Sequence, residues 1–151
     1  MEQDQTYRQA LLGTLAQSDM PAILECWKTL NINPECELIR GPETGLIALR
    51  GRMGGGGAVF NFGEATVTRA TVKLSNGSIG HAAALGRDTG KVKLSAIIDA
   101  VAQDNAMKTE ITSKIIEPLV EKITSRDTRR AGETAATKVD FFTLVRGDTD
   151  A

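Results

Sequence analysis

The stretch ATVTRATVKLSNGSIGHAAAL, residues 65–85, decides the fold, because it reads as two strands joined by a tight turn. Its central Asn76-Gly77 dipeptide is typical of a two-residue type I′ β-hairpin. Counting outward from that turn gives a register, since directly opposed residues share one face of an antiparallel pair. The predicted pairs are Ser75 with Ser78, Leu74 with Ile79, Val72 with His81, Ala70 with Ala83, Thr68 with Leu85, and Thr66 with Arg87.

Short apolar runs separated by glycine continue on the N-terminal side of this hairpin and indicate further antiparallel strands. We therefore expect an antiparallel sheet of four to five strands within residues 36–86. The candidate strands are Cys36–Arg40, Leu46–Met53, Ala58–Phe62, Ala65–Ser75 and Ser78–Leu85.

Helical periodicity flanks the sheet on both sides. Two short helices are predicted before it, and apolar residues recur at helical spacing again after Gly90. Pro118 should kink or restart the second of the later helices, and a polar helix over about 126–137 follows. The order of helices, strands and helices predicts an α+β fold, and residues 1–151 are expected to form one domain.

The composition of the 151 residues excludes several classes of protein. With 18 basic and 19 acidic residues the net charge is -1, so no long-range field attracts nucleic acid or anionic lipid. No apolar stretch approaches the ~20 residues of a membrane helix, and the polar segment 1–7 lacks the apolar core of a secretion signal. Cys26 and Cys36 are expected to be free thiols. We therefore expect a cytoplasmic protein that binds neither nucleic acid nor membrane.

Four Gly-flanked polar signatures stand out: Gly51–Gly57 (GRMGGGG), Gly63–Arg69 (GEATVTR), Gly86–Asp88 (GRD) and Val139–Asp148 (VDFFTLVRGD). The predicted hairpin register brings Glu64 close to Arg87. Two interpretations stay open: weak surface salt bridges at strand ends, or a polar patch for a phosphate-bearing ligand or a partner chain.

The glycine run Gly54–Gly57 also has more than one interpretation. Its backbone N–H groups could cradle an anion, but no Lys-Ser/Thr follows and the next segment is a Phe-bearing strand rather than a helix. A flexible hairpin loop is the alternative, and a third is that bare glycines let a partner or ligand approach closely.

The sequence contains few candidate catalytic residues. His81 stands in an Ala-rich strand, and neither a nucleophile motif nor metal-ligand spacing accompanies it. Glu43, Glu64, Asp88 and Asp140 could act as acid and base only if two of them converged. We expect no catalytic residue, metal or cofactor in this chain. Specific polar surfaces without a catalytic centre are most simply those of a subunit of a larger assembly.

The C-terminal signature contains Phe141 and Phe142, which point to opposite sides of any extended segment. Such a segment favours burial on both faces. Packing within the chain and docking on another chain are equally compatible with the sequence. Phe141, Phe142 and Arg146 are the candidate docking residues, because aromatic residues and arginine dominate interface energetics.

Taken together, five blocks in matching order resemble the PhnG family of the bacterial carbon–phosphorus lyase system. They are Glu43–Leu46, Arg52–Gly55 with Gly57, Gly63–Arg69, Gly86–Asp88, and Val139–Thr143 with Val145–Gly147. The resemblance extends from the first predicted helix to the C-terminal segment.

The resemblance implies a role in phosphonate breakdown. Members of that family work with PhnI, PhnH and PhnL to displace adenine from ATP with methylphosphonate, giving α-D-ribose 1-methylphosphonate 5-triphosphate. It implies a core complex with PhnI, PhnH and PhnJ, in which the nucleosidase chemistry belongs to PhnI, and a site shared with ATP and methylphosphonate. The candidate functional surface comprises Arg52, Glu64, Thr66, Arg69, Arg87 and Asp88. The alternative is a stand-alone nucleotide- or phosphonate-binding module.

Overall fold

A computed structural model describes residues 2–138 of the chain. Helices precede and follow a three-stranded antiparallel sheet of order β1-β2-β3, which confirms the α+β class. The elements are α1 (Glu2–Gln17), α2 (Met20–Thr29), β1 (Cys36–Arg52), β2 (Val59–Leu74), β3 (Ile79–Leu85), α3 (Thr89–Val101), α4 (Asn105–Ile111) and α5 (Glu117–Ala136).

The prediction of four to five strands is wrong, because two pairs of predicted strands are continuous. The chain passes through Gly41-Pro42 without leaving β1, since the ladder with β2 absorbs extra β1 residues as register shifts on either side of Arg40. Similarly, Gly63 does not interrupt β2, where it pairs with Leu49. A glycine or proline therefore marks an irregularity within these long strands rather than their ends.

The predicted register of the β2–β3 hairpin is wrong by one residue. The N–H of Leu74 donates to the carbonyl of Ser78 (2.9 Å), so the turn contains three residues, and Gly77 has φ of 90°. This is the three-residue connection in which a residue of positive φ forms a bulge. Because the period of a strand is two, the one-residue shift turns His81 and its alternate neighbours outward. The pairs include Lys73 with Ile79, Thr71 with His81, Arg69 with Ala83 and Val67 with Leu85.

One face of the sheet carries the core. The side chains of Ala70, Val72 and Leu74 in β2 are buried, and α3 packs on β2 and β3. The helices α1, α2 and α5 contact α3 or one another behind it. The opposite face, which we call the outer face, is covered by no element within residues 2–138, and its β3 residues Ile79, His81, Ala83 and Leu85 are exposed.

Pro118 acts as predicted, by restarting a helix. A π-helical turn over Thr112–Ile116 precedes it, in which the N–H of Glu117 donates to the carbonyl of Thr112, and α5 begins at Glu117. A proline in the first turn of a helix loses no hydrogen bond, whereas one in the interior would. The polar helix predicted from about residue 126 is the continuation of α5 and not a separate element.

Two buried charged groups of α3 join it to the first helix and to the sheet. Asp99 is 1% exposed, and its carboxylate accepts from Arg8 Nε (2.7 Å), Arg8 Nη2 (2.6 Å) and the N–H of His81 (2.8 Å). Lys91 donates through Nζ to the carbonyl of Ala16 (2.7 Å), and burial lowers the pKa of Lys91. Each charge therefore meets a polar partner, as buried charges require.

Substituting Gly80 by alanine is expected to destabilise the chain, because β3 lies against α3 with no space for a side chain. A Cβ at Gly80 would overlap the carbonyl oxygen of Ala96 and lie 2.6 Å from the backbone nitrogen of Ala100. The helix would have to shift, at a cost of about 1–3 kcal/mol. Gly45→Ala is the matched control, since a Cβ there meets nothing within 4 Å. Equal midpoints in urea for the two variants would contradict the expectation.

Candidate functional site

Beyond the edge of β3, β1 and β2 continue as a two-stranded hairpin. The ladder runs from Leu46 opposite Thr66 to Arg52 opposite Val59, and a glycine-rich turn closes it. We call residues 46–66 the arm. Six steps of ~3.4 Å from Leu46 to Arg52 make it about 20 Å long before the turn. A two-stranded hairpin is marginally stable alone in water, so a long projecting one is better explained by packing against something else.

The outer face of the sheet and arm carries a continuous apolar stripe. The alternation of the ladder places on this face Leu85, Val67, Ile47, Ala65, Leu49, Phe62 and Phe60. Leu85 is 71% exposed, and Phe60 and Phe62 are 43% and 59% exposed. The two rings contact each other edge to face with centroids 6.2 Å apart. Exposed apolar area that is contiguous rather than scattered marks an interaction surface.

A β-bulge at Phe62 brings the rings to this face. Leu49 pairs with Gly63 whereas Arg50 pairs with Asn61, so Phe62 is an extra residue in β2. Its ring lies over Gly51, where a Cβ would come within 2.9 Å of Cε1. Without the bulge, the alternation of β2 would place both phenylalanines on the opposite face, with Thr66 and Glu64.

At the base of the arm, the buried Thr68 joins the Gly63–Arg69 and Gly86–Asp88 signatures to Thr44 of β1. Thr68 is fully buried, and its hydroxyl donates to the carbonyl of Gly86 (2.7 Å) and lies 2.9 Å from the hydroxyl of Thr44. The N–H of Gly86 donates to the carbonyl of Thr66 (2.9 Å), and its φ is 96°. We call Thr44, Thr66, Thr68 and Gly86 the arm root. The hydroxyls fix the turn after β3 onto the base of the arm.

Next to the arm root, on the outer face, Arg69 is held by an acidic residue. Its Nε donates to Glu43 Oε1 (2.6 Å), and Arg40 Nε lies 2.9 Å from the same oxygen. The hydrogen bond from Arg69, aided by the charges of both arginines, lowers the pKa of Glu43. The carboxylate is therefore more readily ionised than that of a free glutamate, and the cluster presents one excess positive charge to solvent.

The two charged residues of the Gly86–Asp88 signature have different roles. Asp88 caps α3, because its Oδ1 accepts from the N–H of Lys91 (2.8 Å). Arg87 stands exposed between this cap and the hydrogen bonds of Gly86, and none of the acidic side chains within residues 2–138 forms an ion pair with it. The backbone of Arg87 is thus fixed on both sides, while its guanidinium is available.

The predicted functional residues do not form one cluster. Thr66 belongs to the arm root and Arg69, Arg87 and Asp88 lie beside it, whereas Arg52 lies at the far end of the arm, roughly 20 Å away by strand rise. Glu64 pairs with Ala48 in the arm and forms no ion pair with Arg87 among residues 2–138, so the predicted Glu64–Arg87 contact is wrong for the described chain. The candidate docking residues Phe141, Phe142 and Arg146 lie outside the described residues.

Sequence reasoning missed Thr44, Thr68 and the outer-face phenylalanines as parts of the site. Thr68 had a usable signal, because it continues the buried alternation of Ala70 and Val72 and is the first polar residue in it. Its hydroxyl therefore had to find a buried partner. No signal in the sequence indicates on which face of the arm Phe60 and Phe62 lie, because that face depends on the bulge.

The described helices include none that combines the length and apolar character needed to cross a membrane. Cys26 and Cys36 are free, as predicted, and burial raises the pKa of Cys26.

Comparison with known proteins agrees with the sequence signatures. A family model described as "Phosphonate metabolism protein PhnG" matches residues 6–147. The chain is 46% identical over 134 residues to a protein of Rhizobium meliloti (strain 1021) named alpha-D-ribose 1-methylphosphonate 5-triphosphate synthase subunit PhnG. The alignment covers 89% of this chain and 85% of that relative.

Proposed function

The chain belongs to the PhnG family of phosphonate metabolism proteins, and on this premise we propose that it is an accessory subunit of a synthase acting on methylphosphonate and ATP. The reaction displaces adenine from ATP with methylphosphonate and gives α-D-ribose 1-methylphosphonate 5-triphosphate. In this proposal PhnI supplies the nucleosidase chemistry, PhnH and PhnL are also required, and PhnJ joins PhnI and PhnH in the core complex. A cytoplasmic location and a single domain are parts of the same proposal.

The observation that carries this proposal is the uncovered outer face with its projecting arm. Six apolar side chains larger than alanine follow one another along a sheet face that the described helices leave open. A chain that worked alone would keep such a stripe in water at a cost in solubility. A subunit would bury it against a neighbour. We therefore assign the outer face of the arm as the docking surface for another synthase subunit.

The arm root supplies the second element of the proposal. Arg87 and Arg69 present guanidinium groups beside the docking surface, on backbone that the threonine hydrogen bonds hold. Such groups bind carboxylates or phosphoryl oxygens bidentately. We propose that the arm root contacts the partner's active-site region and so shapes it.

The stand-alone binding module is the weaker alternative. A cleft of about 540 Å³ lies between α1 and the region around Asp99 and Asn105, but its charges already pair with one another. Arg8 binds Asp99, and Lys108 binds Asp4 while lying over the ring of Tyr7. Calorimetry of the purified chain with ATP and with methylphosphonate separates the alternatives, since only a stand-alone module retains micromolar affinity without partners.

The direct test of the proposed function is co-expression of this chain with PhnI, followed by size-exclusion chromatography and an adenine-release assay. PhnH and PhnL are supplied both in the assay that contains this chain and in the assay that lacks it. We expect co-elution, and methylphosphonate-dependent release of adenine only when this chain is present. Separate elution, with adenine release indifferent to this chain, would reject the subunit role.

Substituting Arg87 by alanine is expected to reduce adenine release by the assembled complex roughly tenfold to a hundredfold, as expected for one charged hydrogen-bonding group. Arg69→Ala should act in the same direction. Neither should change the melting temperature of the isolated chain by more than about 2 °C, because both side chains are exposed. Normal product formation by both variants would remove Arg69 and Arg87 from the functional surface.

A further inference from the structure

The far end of the arm has two chemically different faces. Phe60 and Phe62 occupy the outer face, whereas Arg50 and Arg52 share the opposite face with Asn61. Residues two apart on a strand lie about 7 Å apart, so the two arginine side chains emerge as neighbours. Both arginines are exposed, and in the described part of the chain neither has an Asp or Glu oxygen within 4.0 Å.

The bulge at Phe62 is what separates these two faces. If β2 paired without it, both rings would lie among the arginines, and the outer face of the tip would be bare. Gly51 completes the separation, because the ring of Phe62 covers the place where its side chain would lie. Solubility of the hairpin alone does not explain why the rings and the arginines lie on separate faces. Separated faces suit an arm whose one side packs on protein while the other side meets an anionic group.

The guanidinium of Arg52 is partly positioned already. Its Nη1 donates to the carbonyl of Gly57 across the tip (3.1 Å), which leaves its other N–H groups for a ligand. Glu64 lies on the same face, opposite Ala48, but forms no ion pair with either arginine among the described side chains. The net charge of the arm face is therefore positive at its tip.

We propose that Arg50 and Arg52 bind phosphoryl oxygens of a substrate in the assembled synthase, at a site that the arm completes on another subunit. The inference rests on the proposed function, because that function brings phosphoryl groups to the complex. Two adjacent guanidinium groups match such oxygens in geometry and charge. The same chemistry occurs in the triphosphate of ATP and in methylphosphonate, and the experiment distinguishes the two.

The test uses the complex assembled with PhnI, PhnH and PhnL and the double variant Arg50→Gln/Arg52→Gln. We expect the variant to co-elute as the unmodified chain does, because the outer face is intact, while the KM for one substrate rises roughly tenfold to a hundredfold. ATP and methylphosphonate are varied separately. Binding of a methylene-bridged ATP analogue to the complex, measured by calorimetry, gives a readout that does not depend on turnover. Arg130→Gln is the matched control, an exposed arginine of α5 without an acidic partner among residues 2–138.

Each outcome has one meaning. A higher KM for ATP with weaker analogue binding assigns the arginines to the triphosphate, and a higher KM for methylphosphonate alone assigns them to the phosphonate. Co-elution with both KM values and analogue binding unchanged overturns the inference. Loss of co-elution also overturns it, since the arginines would then contact the partner protein. If the unmodified chain itself fails to co-elute, the proposed function fails first.

Discussion

Replacing Phe60 and Phe62 together by aspartate is expected to abolish assembly with the partner subunit while the isolated chain stays folded. The two rings are the largest exposed apolar groups of the outer face, and they lie on the arm, away from the buried core. Buried aromatic anchors of an interface are typically worth about 2–4 kcal/mol each. Replacing both rings by carboxylates should therefore lower the association constant with the partner subunit by at least roughly a thousandfold.

Size-exclusion chromatography of the co-expressed proteins measures this loss, and methylphosphonate-dependent adenine release should disappear with it. Circular dichroism of the isolated variant shows whether the core is intact. Val120→Asp is the control, because Val120 is 44% exposed and lies on α5, outside the sheet. If the double variant still co-eluted with PhnI as the control does, docking would have to use another surface.

Substituting Asp99 by alanine should cause the largest loss of stability of any single polar change in the described chain. The substitution removes both oxygens that Arg8 binds. It also removes the acceptor for the N–H of His81, on the edge of β3 that no strand within residues 2–138 pairs with. Breaking a buried ion pair by removing one partner costs about 3–5 kcal/mol. Arg8 is partly exposed and can rehydrate, which places the expected loss near the lower end.

Thermal unfolding of the purified chain checks this value, and the melting temperature should fall by roughly 10 °C for a chain of this size. Asp127→Ala is the matched control, since Asp127 is exposed and, within residues 2–138, forms an ion pair only with its neighbour Arg126. A surface pair of that kind contributes at most about 1 kcal/mol. Similar melting temperatures for the two variants would show that Asp99 is dispensable for the joint between α1, α3 and β3.

The helices and the core face of β2 could be predicted from the sequence because they depend on neighbours along the chain. Alternation places Ala70, Val72 and Leu74 on one side of a strand whatever lies opposite, and Pro118 restarts a helix in any surroundings. The five family signatures are local in the same way. They led to the PhnG family, and the comparisons confirm it.

The orientation of β3 could not be predicted, because it depends on one hydrogen bond in the turn. A bond from Leu74 to Ser78 makes the loop three residues long, and that single residue exchanges the two faces of the strand. The number of strands failed for a related reason. Glycine and proline indicate a break in a short segment, but the partner strand absorbs them as bulges when the ladder continues on both sides.

The sequence by itself therefore determined the α+β order of elements, the buried alternation of β2 and the family signatures, all of which are set by local periodicity and residue type. Only the tertiary structure decided that no element within residues 2–138 covers the outer face, that the bulge at Phe62 separates rings from arginines, and that Thr68 joins the turn at Gly86 to the arm. These features depend on which residues of distant segments oppose one another. That is fixed by packing and hydrogen bonding across the sheet, and no segment carries it alone.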